Sequence, residues 1–209
     1  MKDTMFLMGD CHLRPLSLAV FNVANDYDHE YRYNLIENGE IEAFLSVSNQ
    51  TKMLNIYSKP SKAYSIKLDN EKFKEFNSDK VSMLFMWGYS DIFDYKKNRS
   101  LKPAVDNYLN QITFNFNLTD ITLAYPIRMW KFWNGEQSDI YEEWCDLLTS
   151  KAKELGLKKP MNIFDKKYDD IFANKDNYDL DHLKWWVYYD VWFDILNNFI
   201  DLPNTKTIQ

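Results

Sequence analysis

The residues best equipped for chemistry crowd near the N-terminus: Asp10, Cys11 and His12, followed by Asp26, Asp28, His29 and Glu30. Imidazole nitrogens and carboxylate oxygens from two such segments suit a divalent metal if strands bring them together. Asp10, His12, Asp28 and His29 are therefore the candidate metal ligands. Their spacing matches no HExxH pair, CxxC pair or EF-hand loop. Asp28-His29-Glu30 opens a strand, so alternation sends Asp28 and Glu30 to one face and His29 to the other, as at a solvated edge. Nucleophilic catalysis needs a nucleophile, a base in reach and a group to orient it. Cys11 beside His12 offers the types, but neighbours on a strand face opposite sides. The third histidine, His182, falls in the expected first turn of a helix, where a protonated imidazole opposes the helix dipole, and reads as a neutral boundary residue. No complete catalytic motif emerges, and no cofactor is expected.

Composition narrows the classes. The chain has 209 residues, 17% aromatic, and only 5 glycines. GxGxxG, GxxxxGK[ST] and GxSxG are all missing, which disfavours phosphate-cradling loops and nucleophile elbows that need glycine where the backbone approaches a ligand. Arginine occurs only at Arg14, Arg32, Arg99 and Arg128 and the net charge is −6, which argues against direct nucleic-acid binding. Cys11 and Cys145 are too few for a disulfide framework, and Met5 to Met8 is too short for a signal-peptide core, so a cytoplasmic setting is expected. The abundance of Lys, Asn, Ile, Tyr and Phe points to an AT-rich genome, such as that of a low-GC bacterium, its phage or a mobile element.

The elements that must position these residues follow from periodicity. Met5 to Met8 and Leu18 to Ala24 have strand length. His29 to Glu37 and Glu40 to Val47, joined by Asn38-Gly39, read as a hairpin with a type I′ turn, pairing Ile36 with Ile41 and Tyr33 with Phe44. Met53 to Tyr57 and Ala63 to Leu68 extend it into an antiparallel meander. Val81 to Trp87 is a continuous apolar run of buried-strand length. Pro103 suits the first turn of a short helix. Ile112 to Leu118 alternates apolar and polar without exception, as a half-buried strand does, and Ile121 to Tyr125 and Ile127 to Trp133 follow as further strands. Beyond Asn134-Gly135 the period becomes helical. Tyr141, Trp144, Leu148, Ala152 and Leu155 share one face, with Asp139 and Glu142 as a cap pair and Gly156 as the stop. Asn162 caps a shorter helix that buries Phe164, Tyr168, Ile171 and Phe172. The fold class expected is a single α+β domain over 1–209: an antiparallel sheet in the strand-rich 1–133, packed by helices within 134–203.

The densest aromatic run, Leu180 to Leu202, is expected as a long core helix with Asp179 as N-cap. Asp190, Asp194 and Asp201 make a polar stripe on it. Two aspartates within the run speak against a membrane span. With the exposed-ring candidates Trp130 and Trp133 in IRMWKFW, this stripe suggests contact with a basic protein surface, or a homo-oligomer through the 180–202 helix. The function expected by elimination is therefore a non-enzymatic interaction protein, an acidic inhibitor or adaptor from a phage or mobile element. The alternatives are a metal-dependent hydrolase using Asp10, His12, Asp28 and His29, or a sugar- or nucleotide-binding module with Trp130 and Trp133 as a platform.

Overall fold

The computed structural model describes residues 4–13, 29–35, 41–49, 52–58, 62–68, 71–76, 81–95, 100–116, 121–164, 166–179, 182–184, 186, 187 and 191. In chain order the sheet strands are β1 (Thr4–Gly9), β2 (His29–Leu35), β3 (Ile41–Asn49), β4 (Lys52–Ser58), β5 (Val81–Met86) and β6 (Ile121–Leu123). The helices are α1 (Tyr89–Phe93), α2 (Lys102–Asn115), α3 (Glu136–Glu154) and α4 (Asp169–Ala173). A two-stranded hairpin, β7 (Tyr178–Asp179) and β8 (His182–Leu183), follows α4.

β1 is the centre of the sheet. Phe6, Leu7 and Met8 are all buried, so both faces of the strand are covered and no alternation is possible. It pairs in parallel with β4 on one side and β5 on the other, and β5 pairs in parallel with β6. The order across the sheet is β2-β3-β4-β1-β5-β6. The expected antiparallel α+β sheet is thus overturned: four adjacent strands are parallel and carry helices, an α/β arrangement. The antiparallel meander survives only as an appended edge, where β2 pairs with β3 and β3 with β4. Its hairpin exists, but Leu35 faces Ile41 and Arg32 faces Phe44, one residue away from the register an Asn38-Gly39 type I′ turn imposes. Residues 36–40 lie outside the described residues.

Three expected strands are not strands, and each failure has a physical reason. Ile112–Asn115 of the alternating segment is the end of α2, whose buried face includes Ala104, Val105, Tyr108, Leu109 and Ile112 at helical spacing; Phe116 is its C-cap, and 117 and 118 lie outside the described residues. Phe114, which alternation would bury beside Ile112, is 85% exposed. Seven residues of period two are too short to outweigh a helix already begun at Pro103. Ala63–Ser65 is a 3₁₀ turn that leaves Tyr64 exposed, and Trp130–Phe132 is another.

The helical half stands closer to expectation. α3 buries Ile140, Tyr141, Trp144, Leu148 and Ala152, and Gly156 follows with φ +72°. Its N-cap is Gly135 rather than Asp139. Tyr168 and Phe172 are buried around α4, after Asn162 Oδ1 accepts the Phe164 N–H. The expected start of the long C-terminal helix is different: Asp179 faces His182 across the β7–β8 hairpin instead of capping a helix. Within 180–202, His182–Leu183 are strand, Lys184 follows them, and helix is described only at Trp186, Val187 and Val191; the other residues of that span lie outside the described residues, as does Leu18 to Ala24. Among the described residues no helix is long and apolar enough to cross a membrane.

Helix and strand assignments for 112–118 make opposite predictions. Ile112→Ala should cost about 2–5 kcal/mol by cavity formation, whereas Phe114→Ala should stay within about 0.5 kcal/mol. Urea denaturation checks this; equal losses at both positions would contradict the buried face of α2.

Candidate active site

In an open parallel sheet the strand carboxyl ends form a crevice, and it opens where the chain switches direction across the sheet. Here the chain places β4 on one side of β1 and β5 on the other, so the switch point is at β1. Asp10, Cys11 and His12 leave the end of β1 at that point.

Gly9 makes this exit possible. A Cβ there would overlap the Met86 carbonyl oxygen and crowd the Leu13 side chain. Asp10 then locks the turn. Its N–H donates to Met86 O at 3.2 Å, and Ser58 Oγ, at the end of β4, donates to its carbonyl at 2.8 Å. Its carboxylate accepts the His12 N–H at 3.1 Å through Oδ1 and the Tyr89 N–H at 3.1 Å through Oδ2. One buried residue thus ties together the ends of three strands. Burial pushes its pKa up to about 7 against the lowering effect of those N–H donors, with the Asp91 charge adding to the rise.

Because β1 ends at Gly9, Cys11 and His12 sit in a turn, and strand alternation does not separate them. A sulfur or nitrogen atom of each of Cys11, His12 and His182 lies within 4.8 Å of the others. The His12 and His182 rings stack with centroids 5.0 Å apart and planes 23° apart. Tyr89 meets His12 edge-on at 4.0 Å. His12 is buried, and desolvation followed by the charge of His182 holds its pKa well below the usual imidazole value, so it stays neutral. His182 is only half-buried and forms the open side of the cluster. Asp179 is its Cα partner in the β7–β8 hairpin, and residues so paired carry their side chains on one face.

A second buried carboxylate braces the site from behind. Asp91, on α1, accepts the N–H groups of Ala63 and Tyr64, the latter at 3.1 Å, which ties down the loop after β4. Gly88 ahead of it has φ +132°, and a Cβ would run into the Trp144 indole of α3. Burial raises the Asp91 pKa to about 6, opposed by the two backbone donors and Lys62.

The metal ligands expected from sequence do not gather as a set. His12 is at the site, and Asp10 is beside it with both carboxylate oxygens committed to backbone N–H groups. His29 pairs with Val47, Val47 with Leu54, and Leu54 with Met5, so it lies three strands across the sheet and level with the start of β1. From strand spacings that is about 20 Å from the Asp10 end. Asp28, Asp190, Asp194 and Asp201 lie outside the described residues. Trp130 and Trp133 are both half-buried. The Trp133 Nε1–H donates to Arg128 O at 2.7 Å under the Arg128 guanidinium, and the Trp130 ring is flanked by Lys131 and Lys175 at 5.4 and 5.3 Å. Neither belongs to the Cys11 cluster. The second cysteine, Cys145 on α3, is inert by comparison, its thiol pushed up to about 12 by burial.

What sequence reasoning missed is His182, taken for a helix-boundary residue, and its partner Asp179. A signal for the crevice was present: Met5–Met8 is an uninterrupted apolar run and Val81–Trp87 is broken only by Ser82, as suits parallel strands covered on both faces.

The protonated form of Asp91 is favoured by folding, so its contribution is greatest below pH 3.8 and is lost as pH rises through about 6. That loss amounts to about 3 kcal/mol for a shift of this size. Asp91→Asn should flatten the stability profile between about pH 4 and pH 6; urea midpoints measured across that window, parallel in variant and parent, would show the carboxyl to be indifferent to folding.

No protein-family model and no curated protein matches this sequence. Among solved structures, the chain is similar to the crystal structure of a member of the lipolytic protein G-D-S-L family from Veillonella parvula DSM 2008. Identity is 12%, the TM-score is 0.56, and the match covers 95% of this chain and 99% of that one. At this identity the likeness is one of fold, and it joins the parallel sheet in overturning the antiparallel expectation. The expectation of a non-enzymatic inhibitor or adaptor from a phage or mobile element finds no support in this fold.

Proposed function

We propose that the protein is a hydrolase of acyl esters or thioesters with Cys11 as nucleophile and His182 as general base. The observation that carries this reading is the approach of the Cys11 sulfur and a His182 nitrogen to within 4.8 Å at the carboxyl end of the central parallel strand. The fold of the solved neighbour supports it, and that protein is described as lipolytic. Its family name spells Gly-Asp-Ser-Leu, and this chain has Gly9-Asp10-Cys11-His12 where β1 ends.

His182 takes the thiol proton as the sulfur attacks the carbonyl carbon. A thioester to Cys11 forms, and the alcohol or thiol leaves with the proton returned by His182. Water then attacks the thioester, His182 accepts its proton, the free acid departs and the thiol is restored. Asp179, paired with His182 across the hairpin, is the carboxylate this reading assigns as third member of the constellation. His12 remains neutral and supports the His182 ring by stacking, while Asp10 is a positioning residue that holds the Cys11 turn.

Cys11→Ala should lower kcat/KM for a p-nitrophenyl acyl ester by at least about 10³-fold, and His182→Ala by about 10²–10⁴-fold. Mass spectrometry of the quenched reaction should find the acyl group on Cys11. Turnover by Cys11→Ala at the parent rate would exclude the thiol as nucleophile.

A further inference from the structure

We propose that Cys11, His12 and His182 form a binding site for a soft or borderline divalent cation, zinc foremost, and that the bound ion switches the hydrolase off. The binding stands on geometry alone; the inhibition rests on the acyl-transfer reading above. One sulfur and two imidazole nitrogens within 4.8 Å of one another are a donor set of the kind zinc takes. With Zn–S near 2.3 Å and Zn–N near 2.0–2.1 Å, tetrahedral geometry sets ligand atoms roughly 3.3–3.6 Å apart, so closure by at most roughly 1.5 Å completes the site.

The near-parallel His12 and His182 rings put two imidazole edges beside the thiol. His12 is buried and fixed by Tyr89, and His182 is half-buried, so the pocket has a rigid inner ligand and an accessible outer one. The fourth position faces that accessible side and is left to water. Thiolate and imidazole donors select zinc or cobalt over magnesium or calcium. No carboxylate oxygen of Asp10 competes for a hard ion, because both accept backbone N–H groups. The set shares only His12 with the ligands expected from sequence. An ion held there occupies the nucleophilic sulfur and the base together, which blocks both halves of the proposed reaction.

The test uses the full chain, stripped with EDTA and titrated with Co²⁺ and then Zn²⁺. Cobalt should bind one to one with a thiolate-to-cobalt charge-transfer band, which Cys11→Ser should abolish. His182→Gln should weaken zinc binding at least about 10-fold in competition with a chromophoric chelator. Equimolar zinc should slow iodoacetamide alkylation of Cys11, and EDTA should restore it. The inner ligand His12 is core-packed, so the two outer variants carry the test. No charge-transfer band, with Cys11 alkylated equally fast in excess zinc, would overturn the site. If zinc binds but the stripped protein turns over no ester, the acyl-transfer reading fails and the site stands. If ester turnover continues at full rate in excess zinc, the inhibitory proposal fails and the acyl-transfer reading stands.

Discussion

The buried carboxylate of Asp10 is the constraint on which the rest of the crevice depends. It accepts one backbone N–H from the turn that carries Cys11 and another from the start of α1, beyond β5. A buried carboxyl that lost either partner would leave an uncompensated polar group, at a cost comparable to a large share of a domain's net stability. The Cys11 turn and the Gly88–Tyr89 turn are therefore held as one piece. Ser58 at the end of β4 joins them through the Asp10 carbonyl. Because those three strands are parallel, their carboxyl ends lie on the same side, and the polar residues that follow them converge.

Around this clasp the chemistry is assembled from segments remote in sequence. Cys11 and His12 come from the turn after β1, Tyr89 from the β5 exit, and His182 from a short hairpin near the far end of the described chain. Ring contacts hold them in order: Tyr89 edge-on to His12, and His12 stacked on His182. The inner imidazole is neutral because it is desolvated, and the outer one remains half in solvent. Burial thus divides two chemically identical side chains into a desolvated inner ring and a half-exposed outer one. The two thiols, both half-buried, differ in their neighbours: Cys145 sits on α3 beside Tyr141 with its thiol raised by burial, and Cys11 sits beside two imidazoles.

Local periodicity determined a good part of this protein. β1, β4, β5 and β6 all coincide in large part with runs whose apolar content marks them as strands, and the α3 face of Tyr141, Trp144, Leu148 and Ala152 follows directly from a 3.6-residue repeat. Cys11 and His12 stood out by type alone. What periodicity could not convey is direction and partnership. A strand of apolar residues reads the same whether its neighbour runs parallel or antiparallel, so the sheet core was open to the wrong assignment. Over Ile112–Leu118 the alternation is complete and pointed to a strand, and the packing of Ala104, Tyr108 and Ile112 in the core overrode it.

The site was decided by tertiary structure for the same reason. The rule that separates Cys11 from His12 holds within a strand, and the strand stops at Gly9, where the Met86 backbone leaves no room for a side chain. His182 joins Cys11 from 171 positions further along the chain, a meeting created by the sheet and the hairpin rather than by spacing. The sequence by itself determined which residue types were available and where strands and helices would form. The tertiary structure alone decided which of three histidines would face the thiol, because that depends on strand direction and on contacts no local pattern records.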